Sequence, residues 1–186
     1  MGEREREKLG MWASLLEALR RRRAPPEARL AEIGLAKGMK VADIGAGYGY
    51  FAFPVAEIVG GEGMVYAVEP NPKRAEEISR RVEERRVKNI EVIVAGAEDL
   101  AGIATGEVDA AISMSSFHHF ADAQAALIEL RRVVKPGSLL YVRDIKAGRI
   151  FKHGSRAEPF RRAISQQFPD AEFDEGSGYL VAKVKL

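Results

Sequence analysis

The sequence predicts a doubly wound α/β fold around a mostly parallel β-sheet. From residue 40 onward, apolar segments of strand length alternate with amphipathic segments of helix length, and the apolar segments are rich in Val and Ile. Strands that are apolar on both faces are typical of parallel sheets covered by helices on both sides. A run of alternating glycines directly follows the first of these strands. Sheets of this kind bind ligands at such a turn, so the turn is the first candidate site.

Composition limits the class of protein. A chain of 186 residues is long enough for one domain with a substantial core. The absence of Cys excludes a disulfide framework and a zinc-thiolate site, and without an apolar signal-type segment at its start we expect a cytoplasmic protein. No segment approaches the roughly 20 apolar residues of a membrane span. The net charge of +2 gives no general case for nucleic-acid binding, although nucleic acid is not excluded as a partner.

Residues 1–37 are predicted to form a helical extension that caps the main domain. A first helix carries four apolar residues at helical spacing, Trp12, Leu15, Leu16 and Leu19. It ends on four arginines, residues 20–23, which suit the negative end of its dipole or, alternatively, a docking element for an anionic partner. Pro25 and Pro26 end this helix. A short second helix then has three residues on its buried face, Leu30, Ile33 and Leu35.

Residues 38–186 are predicted to form the α/β domain. Its first five strands are placed at residues 39–45, 64–70, 89–96, 108–114 and 138–145. Helices are placed at residues 50–60, 71–87, 122–134 and 158–168. Asn71 and Asp122 are the predicted N-caps of two helices, and Pro72 takes a first helical position. Residues 171–186 are predicted to form a hairpin around Gly-Ser-Gly, which places an antiparallel strand at the edge of the sheet.

The glycine-rich turn is predicted to bind a nucleoside. Gly45, Gly47 and Gly49 allow a tight turn and the close approach of a ligand, although a turn without a ligand is the alternative. Tyr50 stands where the dinucleotide fingerprint G-x-G-x-x-G requires its third glycine, so a pyrophosphate site is poorly matched. Glu69 ends the second strand, where such folds hold ribose hydroxyls; a surface acid is the other interpretation.

The motifs together resemble those of the class I S-adenosylmethionine-dependent methyltransferases. In order they are "VADIGAGYGYF", "VYAVEP", "AGAEDL", "VDAAISMSSFHHF" and "ELRRVVKPGSLLYVRD", and the resemblance covers about residues 28–145. They are most similar to the group that includes the ubiquinone and menaquinone biosynthesis methyltransferases. The resemblance implies a seven-stranded sheet with an antiparallel C-terminal strand. It also implies S-adenosylmethionine as cofactor and S-adenosylhomocysteine as product, and it leaves the acceptor unidentified.

The resemblance also implies the cofactor-binding residues, which are Asp43, Gly45, Ala46, Gly47, Gly49, Glu69, Pro70, Ala97, Glu98 and Ser113. By this resemblance Asp43 organises the turn and the methionine amino end, Glu69 binds the ribose hydroxyls, and the backbone near Ser113 and Met114 faces the methionine amine. Members of the family usually have an Asp where this chain has Gly96. Glu98, Asp99 or the backbone of Ala97 must then bind the adenine.

Methyl transfer from a sulfonium is an in-line displacement, in which alignment can supply most of the rate and no metal is required. A base is needed only when the acceptor is a protonated nitrogen, a hydroxyl or a carbon acid. His118 and His119 follow the fourth strand and are the candidate catalytic bases, since imidazole titrates near neutral pH. The alternative is that they cap a helix or pack beside the cofactor. Tyr48 and Tyr50 border the sulfonium or serve only in packing.

The methyl acceptor is expected between the N-terminal extension and the loop after the fifth strand. This loop gathers five basic side chains, Lys146, Arg149, Lys152, His153 and Arg156. They predict a small acceptor that is anionic or carries a carbonyl, with a solvated loop as the equal alternative. The oligomeric state is left open.

Three other functions are weighed against this one. A cofactor-binding regulatory module without turnover is favoured by the short chain and by Gly96. An NAD-linked oxidoreductase is disfavoured by Tyr50 and by the lack of a second nucleotide-binding half. An RNA or protein methyltransferase remains open. Residues 113–116 read Ser-Met-Ser-Ser in place of an Asn-Pro-Pro-aromatic or Asp-Pro-Pro-aromatic signature, which argues against an exocyclic base nitrogen as acceptor.

Overall fold

The computed structural model describes residues 26–147 and 153–186. The predicted first helix and its four arginines lie outside the described residues. Of the predicted extension, the structure describes the short helix α1, Pro26–Leu30, whose Leu30 is buried together with Ile33. These two residues pack in the same apolar cluster as the helix that follows β1. The division of the chain at residue 37 stays a prediction.

Within the described residues, seven strands form one sheet in the order β3-β2-β1-β4-β5-β7-β6. The strands are β1 (Lys40–Ile44), β2 (Met64–Val68), β3 (Ile90–Ile93), β4 (Val108–Met114), β5 (Val134–Ile145), β6 (Glu172–Glu175) and β7 (Tyr179–Lys185). The first five are parallel to one another, and β7 runs antiparallel to both β5 and β6. The predicted mostly parallel sheet and C-terminal hairpin are therefore confirmed.

Helices cover the sheet, and two of them begin at the predicted caps. They are α2 (Ala52–Val59), α3 (Pro72–Arg85), α4 (Ala123–Val133) and α5 (Ala157–Gln167), with a 3₁₀ helix at Phe117–His119. The Asn71 side chain accepts hydrogen bonds from the backbone of Lys73 and Arg74. Asp122 does the same for the first turn of α4. Among the described residues, no helix is long and apolar enough to cross a membrane.

β5 begins earlier than the sequence predicts. Val134 continues directly from α4 and pairs with Val108, whereas the next paired positions are Ala110 and Leu139, so the register shifts by a bulge. Gly137, at φ +80°, lies in the extra length of chain. Val134 is buried, and its pairing with an apolar partner outweighs the interruption by Pro136 and Gly137. The bulge lies at the opposite end of the sheet from the candidate site.

Candidate active site

A cavity of about 670 Å³ opens at the carboxyl ends of the parallel strands. Five segments supply most of its wall, residues 44–48, 69–70, 95–98, 114–116 and 119–121. Each follows a different strand or the 3₁₀ helix, so the sheet brings together residues that are distant in sequence. The side chains of Arg74 and Ile145 complete the described wall together with those of Tyr50 and Phe51. The position and size are those of a ligand pocket in a doubly wound fold.

The glycine turn forms the base of the cavity. Gly45, Gly47 and Gly49 have φ values of +76°, +62° and +80°, a region that favours glycine. A Cβ on Gly45 would lie 2.7 Å from Ser116 Oγ, and one on Gly49 would lie 2.7 Å from a ring carbon of Phe53. A Cβ on Gly47 would meet no protein atom within 4 Å. Gly45 and Gly49 therefore serve close packing, whereas Gly47 leaves space on the cavity side.

Glu69 fixes the turn from the neighbouring strand. Its carboxylate is only 2% exposed, and Oε2 accepts a 2.8 Å hydrogen bond from the Gly47 backbone N–H. Oε1 accepts a 3.0 Å bond from the Asn71 N–H, and an Arg74 guanidinium nitrogen lies 3.8 Å from it. These contacts explain how a buried carboxylate is tolerated here. They orient both oxygens at the cavity wall.

Asp43 lies beneath the glycine turn and is not part of the cavity wall. Burial, followed by the charge of Glu69, raises its pKa to about 7, while a backbone hydrogen bond from Ala52 acts in the opposite direction. Its Oδ2 has no hydrogen-bond partner among the described residues. An ionised carboxylate with an unpartnered oxygen is costly inside a protein. Asp43 is thus poised to change its protonation state close to neutral pH.

The third wall segment contains Gly96 in place of the acid usual in the family. A Cβ at Gly96 would come within 2.6 Å of Glu98 Oε2, so the Glu98 carboxylate occupies the space that a side chain at 96 would need. Glu98 Oε1 accepts a 3.1 Å hydrogen bond from the backbone N–H of Asp122. The neighbouring Ala97 is buried. A carboxylate is therefore present at this wall, supplied from two residues further along the chain.

The turn after β4 connects the two sides of the cavity. Ser116 Oγ donates a 2.7 Å hydrogen bond to the Ile44 carbonyl and lies 2.8 Å from Ser113 Oγ, which must then donate to it. Ser113 is fully buried and lies outside the cavity wall, whereas Met114, Ser115 and Ser116 form part of it. Ser115 has φ +63°, and its N–H bonds to the Arg143 carbonyl. Sequence reasoning missed Ser116. The available signal was Gly45, because a glycine in a turn indicates that another group packs closely against the backbone there.

The two candidate bases have different environments. His119 is exposed and forms part of the cavity wall. The His118 ring is 7% exposed, and its Nδ1 lies 2.7 Å from Asp144 Oδ1, while Asp144 Oδ2 accepts a 3.0 Å bond from the His118 N–H. Although the residue is exposed, the partial loss of water around its ring, followed by the charges of His118 and His153, lowers the pKa of His119. Sequence reasoning missed Asp144, whose place at the end of β5 beside the β4 turn is the signal for it.

The basic loop after β5 is only partly described. Arg149 and Lys152 lie outside the described residues, and Arg156 is exposed. Lys146 Nζ lies 2.6 Å from Glu175 Oε1, and Arg161 pairs with the same carboxylate at 3.0 Å. The hydrogen bond from Lys146 lowers the pKa of Glu175, and burial acts in the opposite direction. One of the five basic side chains is thus already paired with an acid.

Two arginines that the sequence did not single out also shape the cavity. The Arg74 guanidinium lies 5.7 Å from the centroid of the Tyr48 ring, and both residues are part of the wall. The Arg81 guanidinium is buried, donates a hydrogen bond to the Tyr48 carbonyl and stacks on Phe53. Both arginines belong to helix α3, which therefore holds the glycine turn in place through their side chains.

The chain matches a known family over most of this region. Residues 42–142, more than half of the 186, match the family described as methyltransferase domain. The chain belongs to this family. Together with the solved S-adenosylmethionine-dependent methyltransferases of the same fold, this match indicates a domain that uses S-adenosylmethionine as its cofactor. The residues fit such a group, because Gly47 leaves open space beside a buried, oriented Glu69. The predicted superfamily and fold are confirmed.

Relatives of several kinds share parts of the chain. A protein-L-isoaspartate O-methyltransferase of Methanothrix thermoacetophila is 42% identical over 62 residues, which are 33% of this chain and 30% of that protein. An aklanonic acid methyltransferase of a Streptomyces species is 33% identical over 100 residues, 54% of this chain and 45% of that protein. The match thus spans less than half the length of these curated relatives.

Solved structures show the same fold at low identity. An S-adenosylmethionine-dependent methyltransferase from Aquifex aeolicus superposes with a TM-score of 0.76 at 24% identity, over 86% of this chain and 88% of that one. Geranyl diphosphate C-methyltransferase from Streptomyces coelicolor gives a TM-score of 0.72 at 14% identity, over 88% and 80% of the two chains. The NAD-linked oxidoreductase is not favoured by these findings.

Proposed function

We propose that this chain transfers the methyl group of S-adenosylmethionine to a small acceptor by in-line displacement at the cavity. The observation that carries the proposal is the open face of Gly47 beside the buried carboxylate of Glu69. The cofactor, when bound, supplies an activated methyl group on a sulfonium. The protein needs to hold the donor and acceptor in line and to exclude water. The alignment by itself contributes much of the rate.

Glu69 is proposed to bind the ribose hydroxyls. Each of its oxygens accepts one backbone hydrogen bond, from Gly47 or Asn71, and each has further acceptor capacity. Gly45, Ala46 and Gly47 would contact the cofactor directly, since all three are part of the wall. Asp43 and Gly49 would act from beneath the turn by shaping it. The predicted contact of Ser113 would have to act through its backbone.

The adenine is proposed to lie against Pro70, Ala97 and Glu98. These residues belong to the two wall segments that follow β2 and β3. The Glu98 carboxylate occupies the space beside Gly96 and so takes the place of the acid usual at 96. Its second oxygen bonds the Asp122 N–H, which holds it in that position. Glu98 is therefore the candidate partner of the adenine amino group.

His119 is the proposed general base for an acceptor that must lose a proton. It is on the wall and exposed, whereas His118 is fixed by Asp144 and lies behind it. A base in this position must come within hydrogen-bond reach of the acceptor atom. His118 is then proposed to position His119, since the two rings are 4.0 Å apart between centroids.

The acceptor is proposed to be a small molecule with a carboxylate or carbonyl. Arg156 is exposed in the loop after β5, and Lys146 is near it although it is paired with Glu175. One relative is named for aklanonic acid, an acid, and another for protein-L-isoaspartate, whose carboxylate is carried by a protein. The motif resemblance to the ubiquinone and menaquinone biosynthesis group is kept as a proposal for the subgroup. RNA and protein acceptors are the competing outcomes.

Calorimetric titration of S-adenosylmethionine tests the cofactor site. Glu69→Gln should weaken binding roughly 10- to 100-fold, since it removes charge-assisted hydrogen bonds. The control Glu62→Gln changes an exposed acid outside the wall and should leave affinity unchanged. Equal affinity for both variants would contradict the role of Glu69.

Turnover is tested by S-adenosylhomocysteine release over a panel of small carboxylic acids, quinone precursors, peptides and RNA. We expect release with a small acid and a higher KM in Arg156→Gln. Release only with peptide or RNA would contradict the small acceptor. Tight cofactor binding without release on any acceptor would favour a regulatory module.

A further inference from the structure

The three histidines of the chain meet at one place beside the cavity. His118, His119 and His153 each offer a ring nitrogen, and these nitrogens all lie within 4.8 Å of one another. The ring centroids are 4.0 Å apart for 118 and 119, 4.4 Å for 118 and 153, and 5.1 Å for 119 and 153. The first two follow β4 and the third follows β5. Because β4 and β5 are adjacent and parallel, their carboxyl ends bring the rings together.

A buried carboxylate orients the central ring, that of His118. Asp144 is 1% exposed, and its two oxygens accept from the His118 Nδ1 and backbone N–H at 2.7 and 3.0 Å. Among the described residues, the Ile145 N–H and the Ser155 hydroxyl also donate to it, at 2.9 and 2.6 Å. With the proton of His118 on Nδ1, Nε2 presents a lone pair. A carboxylate that holds the far nitrogen of a histidine in this way is typical of metal-binding imidazoles.

The lone pair of His118 faces a second imidazole nitrogen. His118 Nε2 and His153 Nε2 are 2.8 Å apart. Tetrahedral zinc with Zn–N bonds of 2.0–2.1 Å separates its ligand nitrogens by about 3.3 Å, so the two rings need to part by about half an ångström. His119 and His153 are exposed, which leaves room for this adjustment. The nitrogens are close enough to share one cation.

We propose that His118, His119 and His153 bind one divalent transition-metal ion, zinc in the first place, with Asp144 as the positioning residue. Imidazole ligands suit zinc, copper, iron and nickel, whereas magnesium and calcium prefer oxygen. Three protein ligands leave a fourth position open, as in catalytic rather than structural zinc sites. His119 belongs to the cavity wall, so the open position borders the cavity. The expectation that transfer needs no metal does not exclude such a site.

A metal here would act on the acceptor, a use that rests on the proposed function. The ion would lower the pKa of an acceptor hydroxyl at the open position, as it does for bound water, so the hydroxyl would lose its proton to water. With the ion bound, His119 would act as a ligand, and the ion would replace it in assisting deprotonation. The oxygen lone pair then forms the bond to the methyl carbon, and the pair of the breaking C–S bond returns to sulfur. The products are the methylated oxygen, neutral S-adenosylhomocysteine and a proton in solvent. The site therefore indicates an oxygen acceptor.

The test uses the full chain without a polyhistidine tag, because a tag binds the same metals. After removal of metals by a chelator, Zn²⁺ is titrated by calorimetry and Co²⁺ by its visible absorption. We expect one ion per chain and cobalt bands of a four-coordinate site. His153→Ala should weaken zinc binding at least 100-fold. The control Glu158→Ala removes an exposed carboxylate in the same region and should leave zinc affinity unchanged.

Asp144→Asn tests the positioning role. We expect 10- to 100-fold weaker zinc binding, the range for outer carboxylates of metal-binding histidines. His153→Cys, which restores a ligand, should recover binding and shift the cobalt spectrum. Zinc affinity that is equal in the original chain, His153→Ala and Glu158→Ala would overturn the proposal.

Cofactor binding is measured on the same metal-free protein. Since His153 is not part of the cavity wall, His153→Ala should bind S-adenosylmethionine normally. If the original chain bound the cofactor but no zinc, only the metal site would be overturned. Zinc binding without cofactor binding would sink only the proposed function.

Discussion

The two sides of the cavity are built in different ways. The cofactor side is made mainly of backbone, with three glycines at positive φ and the buried carboxylate of Glu69 beside the space that Gly47 leaves. The histidine side is made of side chains, and its central pair, His118 and His153, is separated by 35 residues in sequence. Asp144, which orients His118, comes from the end of β5.

This difference indicates how each side can fail. A backbone site is lost when one carbon atom is added, because the turn has no room or cannot adopt the required φ. A side-chain site is lost when one polar group is removed, because its partners are left unsatisfied. Substitutions that only add volume should therefore damage the cofactor side and leave the zinc affinity of the histidine side intact.

The largest effect is expected at Gly45. Gly45→Ala forces an unfavourable φ and a collision with Ser116, so the free energy of unfolding should fall by about 3 kcal/mol in chemical denaturation. Gly47→Ala forces the same unfavourable φ without a collision, so the free energy of unfolding should fall by about 1 kcal/mol. Its Cβ enters the cavity and should weaken cofactor binding.

The pair of glycine variants separates packing from binding. Adding Ser116→Gly to Gly45→Ala removes the colliding side chain and should recover part of the lost stability. Equal stability losses in the two alanine variants would contradict the division of roles between Gly45 and Gly47.

Asp43 gives the next effect, through pH. Its folded pKa of about 7 lies above the ordinary 3.8, so the folded chain holds a proton that the unfolded chain has lost. The associated stability is fully present below about pH 4 and is lost as pH rises through 7. Between pH 5.5 and 8 the original chain should lose on the order of 2 kcal/mol relative to Asp43→Asn.

Comparing the original chain with Asp43→Asn at each pH removes the contribution of His119 to the pH dependence of stability. That contribution changes with pH in the direction opposite to that of Asp43. The lowered pKa of His119 means that its contribution to stability is lost as pH falls, and this occurs in both chains alike. Parallel melting temperatures across this pH range would contradict a raised pKa for Asp43.

The contrast between the two sides also explains what could be predicted. The cofactor side depends on short-range sequence, because a strand, a glycine turn and an acid at the end of the next strand determine most of it. The mostly parallel sheet and the hairpin follow from the same local patterns. The site residues there remain predictions, although Gly45, Gly47 and Glu69 all take up places consistent with their expected roles.

The histidine side depends on long-range register, which local patterns do not contain. That His118 and His119 lie on the ligand side of the sheet is evident from their place after β4. Their contact with His153 depends on how the chain after β5 turns back, and the Asp144 contact depends on β5 lying beside β4. The bulge in β5 was missed for the same reason, since it arises from pairing across strands.

An effect smaller than those at Gly45 and Asp43 is expected at Arg81, which supports the cofactor side through a side chain. Arg81→Met removes the hydrogen bond to the Tyr48 carbonyl while keeping most of the apolar contact with Phe53, so the free energy of unfolding should fall by about 1.5 kcal/mol. The matched control is Arg80→Met, next in sequence. Arg80 is about half exposed and pairs with Glu77 and Glu84 on the surface of α3, where ion pairs contribute about 0.5 kcal/mol or less. Because the Tyr48 carbonyl belongs to the glycine turn, Arg81→Met should also weaken cofactor binding several-fold, while Arg80→Met leaves it unchanged. Equal free energies of unfolding and equal cofactor affinities in the two variants would contradict a role for Arg81. The glycine turn would then be held by its own backbone, and the cofactor side would depend even less on side chains than we propose.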